Sequence, residues 1–118
     1  MAKLDILFNQ KYEDNHKIIG ERFVKAFLDL MILILLKDKP LCGYSILANI
    51  HIKFNTLLSP GTVYPLLYAL EKEDFIECHA LGRKRKYSLS DKGMKKLDVL
   101  SKVFEKSSNT FVGFINGQ

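Results

Sequence analysis

The stretch "LMILILL", residues 30–36, narrows what this chain can build more than any other. It fills the second half of "GERFVKAFLDLMILILLKDKP", which opens on Gly20, stops at Pro40 and is long enough for a helix over residues 20–37. A surface helix carries one apolar stripe, whereas a helix apolar almost all round belongs inside a fold. Seven apolar residues fall far short of the roughly 20 that a membrane-crossing helix needs. This helix is therefore expected at the centre of a domain, and 118 residues leave room for one modest core.

Residues 1–19 have a polar middle and read as an arm or a short extra helix. They mix acids with bases and lack a secretory apolar segment followed by small residues, so a cytoplasmic location is expected, with no membrane partner. Past the turn at residues 40–43 comes "YSILANIHIKF", where Leu47, Ile50 and Phe54 at i, i+3 and i+7 predict a short helix with one inward face.

A third helix starts after residues 55–58. Ser59 is a natural N-cap, and Pro60 takes the first helical position, where a missing N–H costs nothing. Val63, Leu66, Leu67 and Leu70 form its buried stripe, which turns Thr62, Tyr64, Pro65, Tyr68 and Lys72 outward. Two prolines, a glycine and two tyrosines on one short helix are not what core packing asks for. They suit a face that meets something outside the protein.

In "FIECHALGRKRKYSLS" two extended runs, 75–79 and 86–89, flank Gly82, so a β-hairpin with a basic tip is expected. Ser90 then caps a long last helix. Leu97, Leu100, Phe104, Phe111 and Phe114 fall on one stripe of it, longer than a small core can cover, which reads as a seam for a second copy of the chain. The fold class is accordingly mainly α. A winged helix-turn-helix domain over 20–90, with a β-hairpin wing, follows the arm 1–19 and precedes a dimerisation helix over 91–118.

Net charge is +5, and four of the cations crowd into "GRKRK", residues 82–86. Such a balance permits nucleic-acid binding without proving it, because solubility alone favours it. The two cysteines and the neighbouring His79 have no metal-ligand spacing, and Cys78 and His79 point to opposite faces of a strand. No metal and no cofactor are expected. Nor is there a nucleophile–base spacing, a Gly-rich phosphate loop or a carboxylate pair, so an enzyme is not expected.

Three motifs in order give a resemblance. Gly43–Tyr44 after the proline turn, "SPGTVYP" at 59–65 and "GRKRKY" at 82–87 resemble the PadR family of winged helix-turn-helix transcriptional regulators, in its short form with one C-terminal helix. The likeness runs from about residue 20 to about residue 97. It implies a homodimeric repressor that binds an inverted-repeat operator in double-stranded DNA, with a small aromatic effector as a further expected partner. By this resemblance Tyr44, Ser59, Pro60, Gly61, Thr62, Tyr64 and Tyr68 face DNA from the helices, while Arg83, Lys84, Arg85 and Lys86 track its backbone from the wing. Leu97, Leu100, Phe104, Phe111 and Phe114 pair the two chains. The alternative is a winged-helix module that uses the same face for protein or RNA.

Overall fold

The computed structural model describes residues 12–117. Its elements run α1 (Tyr12–Asp38), β1 (Leu41–Cys42), α2 (Gly43–Phe54), α3 (Pro60–Lys72), β2 (Ile76–Leu81), β3 (Lys84–Leu89) and α4 (Asp91–Ile115). Residues 1–11 of the expected arm lie outside the described residues, and residues 12–19 are the first turns of α1 rather than a separate piece.

Helix α1 does occupy the centre. Val24, Leu28, Ile32, Leu33 and Leu36 are buried, a nearly unbroken i, i+4 series. It is not covered all round, however, since Ile34 remains about half exposed. The helix also bends at Phe27, whose φ and ψ of −125° and 24° are not helical. Just past the bend the Asp29 carboxylate accepts a hydrogen bond from the Leu30 N–H at 2.8 Å. That bond supplies an acceptor where the helical ladder is disturbed. The bend sets the Phe27 ring edge-on against Phe104 of α4, with centroids 5.0 Å apart and planes at 88°.

Helix α2 sits rotated from the phase its sequence suggests. Ile46 and Ile50 are its fully buried residues, while Leu47 and Phe54 are half-buried on the flank. Asn55 ends it in the left-handed region at φ 51°, its N–H reaching the His51 carbonyl at 2.9 Å. In α3 the expected stripe holds: Val63, Leu67 and Leu70 are buried and Leu66 is half-buried.

The three strands form one antiparallel sheet in the order β1-β3-β2. Strand β1 falls where the sequence suggests only a turn. It forms because Leu41 and Cys42 pair with Tyr87 and Lys86 of β3, far along the chain. The hairpin is longer than the sequence suggests, and its loop is just Gly82 and Arg83. Gly82 takes φ 64°, a conformation that the tight two-residue hairpin turns require and that glycine adopts without strain. At the far end of the hairpin Ser90 caps α4 as expected, accepting from the Gly93 N–H at 2.9 Å. Central helix, helix-turn-helix and hairpin wing together make a winged helix, with α4 appended.

Candidate nucleic-acid interface

Helix α3 presents its polar face where the sequence places it. Ser59 lies at the N-cap with extended backbone, and its carbonyl accepts from the N–H groups of Thr62 and Val63 at 3.0 and 3.3 Å. Its hydroxyl does not cap the helix. It lies 3.2 Å from the Thr62 hydroxyl instead, so the two form an exposed pair on the first turn. Pro60 and Gly61 are exposed beside them and add almost no bulk. Among the described residues the Gly61 N–H has no acceptor within the chain, which leaves it for an outside oxygen.

The tyrosines divide. Tyr68, one turn further along α3, is 67% exposed, and Tyr44 at the start of α2 is 76% exposed. Both are free to reach outward. Tyr64 is less so, because the tip of its ring lies on Gly43. A methyl group at that glycine would meet the Tyr64 Cζ and Oη at 2.6 Å. The N-cap position of α2 carries a thiol as well. Cys42 Sγ is 3.2 Å from the Ser45 hydroxyl, whose hydrogen bond holds the thiol below its ordinary value.

The wing cations Arg83, Lys84, Arg85 and Lys86 are all exposed. Strand alternation separates them: Lys84 and Lys86 share one face of β3, and Arg85 shares the other with the buried Tyr87. Burial raises the Tyr87 phenol above its usual value, and among the charged and polar groups acting on it are Arg85 of the wing and Tyr64 of α3. Tyr64 of α3 thus meets the start of α2 at Gly43, and Cys42 just before it pairs with Lys86 of the wing. On the outer face the Ser88 hydroxyl and His79 Nε2 lie 3.3 Å apart across the strands. Cys42 and Cys78 are free, set on opposite sides of β3 and on opposite faces of the sheet.

The residues expected to pair two chains also divide. Leu97 is only 3% exposed and Leu100 is half-buried, both packed on their own domain, and Phe104 meets Phe27. Phe111 and Phe114 are the exposed pair, and Val112 and Ile115 beside them are also exposed. Between α1 and α4 lies an open cleft of about 350 Å³ lined by Leu30, Ile34, Ser101, Phe104, Glu105, Ser108 and Asn109. No helix among the described residues is long and apolar enough to cross a membrane.

The seat of Tyr64 on Gly43 is a feature that sequence reasoning missed. Gly43–Tyr44 stood out only as a motif, and nothing local says that a ring from α3 needs the missing side chain.

Residues 32–99 match the transcriptional regulator PadR-like family. Over 75 residues, 62% of this chain, the sequence is 40% identical to the transcriptional activator GvpE of Haloferax mediterranei. It is 37% identical over 82 residues, 66% of this chain, to the transcriptional activator GvpE1 of Halobacterium salinarum. The matched parts span 38% and 42% of those two proteins. A PadR-like transcriptional regulator from Bacillus cereus superposes with a TM-score of 0.72 at 29% identity, covering 82% of this chain and 99% of that one.

Proposed function

This chain belongs to the transcriptional regulator PadR-like family, a family of regulators rather than enzymes, and on that footing we propose that it binds double-stranded DNA sequence-specifically. The observation that carries the reading is the exposed first half of α3. Thr62, Tyr68 and the unpaired Gly61 N–H stand on a helix that its buried face locks to the core, beside a wing with four exposed cations. A recognition helix puts its N-terminal turns into the major groove. There Thr62 is placed for base edges or a thymine methyl, and Ser59 and Gly61 for a phosphate. The wing cations meet phosphates, which carry affinity without sequence.

The unit over 20–90 acts as the DNA-binding part and 91–118 as the pairing helix. A homodimer paired through the exposed end of α4 presents two α3 helices. Its operator is an inverted repeat with half-site centres about 10 bp apart, or a multiple of one turn. A cytoplasmic location goes with this role. Repression is the sense that the family likeness suggests, whereas the two similar haloarchaeal proteins are named activators. Where the operator lies relative to the promoter sets that sign. The cleft between α1 and α4 supports a small planar aromatic effector, with Leu30, Ile34 and Phe104 as its walls.

Selection of bound sequences from random duplexes tests the reading. An enriched two-fold symmetric motif is the expected result. Recovery of no motif, with tighter binding to RNA or to protein, favours the interaction-module alternative instead.

A further inference from the structure

The contact between Tyr64 and Gly43 gives Tyr64 a different task from its neighbours on α3. Tyr64 and Tyr68 stand one turn apart on the same helix, yet Tyr64 is 43% exposed where Tyr68 is 67%. The difference lies in the ring tip, which rests on the backbone of α2 at its first residue. A Cβ at Gly43 would come within 2.6 Å of Tyr64 Cζ and Oη and 2.8 Å of Cε1, separations that real Cβ contacts essentially never show. Gly43 is buried even without a side chain. An alanine there forces the ring off its seat or the two helices apart.

We propose that Tyr64 is a positioning residue, a strut that sets α3 against α2 with Gly43 as its seat, and that it serves operator recognition through this contact rather than through a bond to DNA. The inference rests on the DNA-binding reading above. Gly43 directly precedes Tyr44, and Cys42 before it pairs with Lys86 of the wing, so the seat is joined to two other DNA-facing positions. One ring therefore braces the helix that reads bases against the turn that presents Tyr44, a turn that the Cys42–Lys86 pairing ties to the wing. Binding constellations need supporting groups that hold them to within about 0.5 Å, and an aromatic ring with two torsions is a stiff support.

The test compares Gly43→Ala, Tyr64→Phe, Tyr64→Ala and the Gly43→Ala/Tyr64→Ala double variant. Each is titrated against the selected operator and a scrambled duplex at several salt concentrations, with thermal unfolding run in parallel. Gly43→Ala and Tyr64→Ala should each reduce the preference for operator by about tenfold or more while leaving the salt slope unchanged, since the same phosphates stay neutralised. Tyr64→Phe keeps the ring and should stay within about twofold of the parent. In the Tyr64→Ala background the glycine substitution should cost less than about twofold, because the two residues act as one unit.

The inference is overturned if Tyr64→Phe loses preference as Tyr64→Ala does, which makes the hydroxyl a direct contact. Equal cost of Gly43→Ala in both backgrounds, or none in the parent, overturns it too. Should Gly43→Ala not fold, the Phe and Ala variants at position 64 decide by themselves. A parent protein with no preferred duplex overturns the DNA-binding reading and the inference together; the outcomes above, with a discriminating parent, overturn the inference alone.

Discussion

Replacing Phe114 by aspartate should dissociate the proposed homodimer without unfolding the chain, whereas truncating Leu97 should weaken folding first. Phe114 is 74% exposed on a single chain, past the point where α4 meets Phe27 through Phe104. Fully burying a phenylalanine contributes about 1.5–3 kcal/mol, so about 1–2 kcal/mol of that gain remains for a partner to supply. Two-fold symmetry counts the contact twice, giving about 2–4 kcal/mol per dimer. At about 1.4 kcal/mol per tenfold, Phe114→Asp should raise the dissociation constant roughly 30- to 700-fold, and further if the carboxylate is desolvated. Leu97 is 3% exposed inside its own domain. Leu97→Ala should therefore cost about 2–5 kcal/mol of folding stability and affect association only through the folded fraction. Sedimentation equilibrium over a concentration series, paired with thermal unfolding of each variant, separates the two effects. A change under about threefold for Phe114→Asp, against the roughly 30-fold floor set by area burial, would show that the end of α4 is not the interface. So would a Leu97→Ala chain that is fully folded yet monomeric. Phe104 sits between these cases: a charge there removes the Phe27 packing and should weaken folding and association together.

Three further outcomes concern the wing and α3. Lys84→Gln with Lys86→Gln removes the two cations on one face of β3, four per dimer, and should flatten the salt slope of DNA binding by about 0.9 for each phosphate no longer neutralised; Thr62→Ala should instead cost about 1–3 kcal/mol on the operator with the slope intact, and titrations that reverse these outcomes reverse the assigned roles. Tyr87 predicts a loss of stability at alkaline pH. Burial raises its phenol above the ordinary 10.0, so between the unfolded and folded values the folded chain holds the extra proton. Its contribution is complete below about pH 10 and disappears as pH rises through the folded value. Thermal unfolding between about pH 8 and 11 should show that decline. Tyr87→Phe should flatten it, and an equally steep decline in the variant would place its cause elsewhere.

Much of the helix-turn-helix was legible in the chain because its signals are local. Pro60 after Ser59 marks a helix start, Val63, Leu67 and Leu70 repeat at helical spacing, and the helix observed is Pro60–Lys72. Gly82 between two extended runs marks the hairpin loop for the same reason. Each of these depends on the backbone preferences of residues within one or two turns of each other. The apolar run at residues 30–36 likewise required a central helix wherever its neighbours lay.

Other features depended on which surface each element met. Strand β1 is two residues long and exists only through its pairing with β3. The inward residues of α2 are Ile46 and Ile50 because α1 and α3 meet that side, while the i, i+3, i+7 set that includes Leu47 fits the period equally well. The stripe along α4 is continuous in the sequence, yet the domain covers Leu97 and leaves Phe114 open. Tyr64 is indistinguishable from Tyr68 until a glycine from another helix lies beneath its ring. Periodicity determines which residues are apolar and on which face of an element they stand. How far along that face a neighbour reaches, and what lies under a given ring, is settled by contacts between residues far apart in the chain, and no local pattern encodes them.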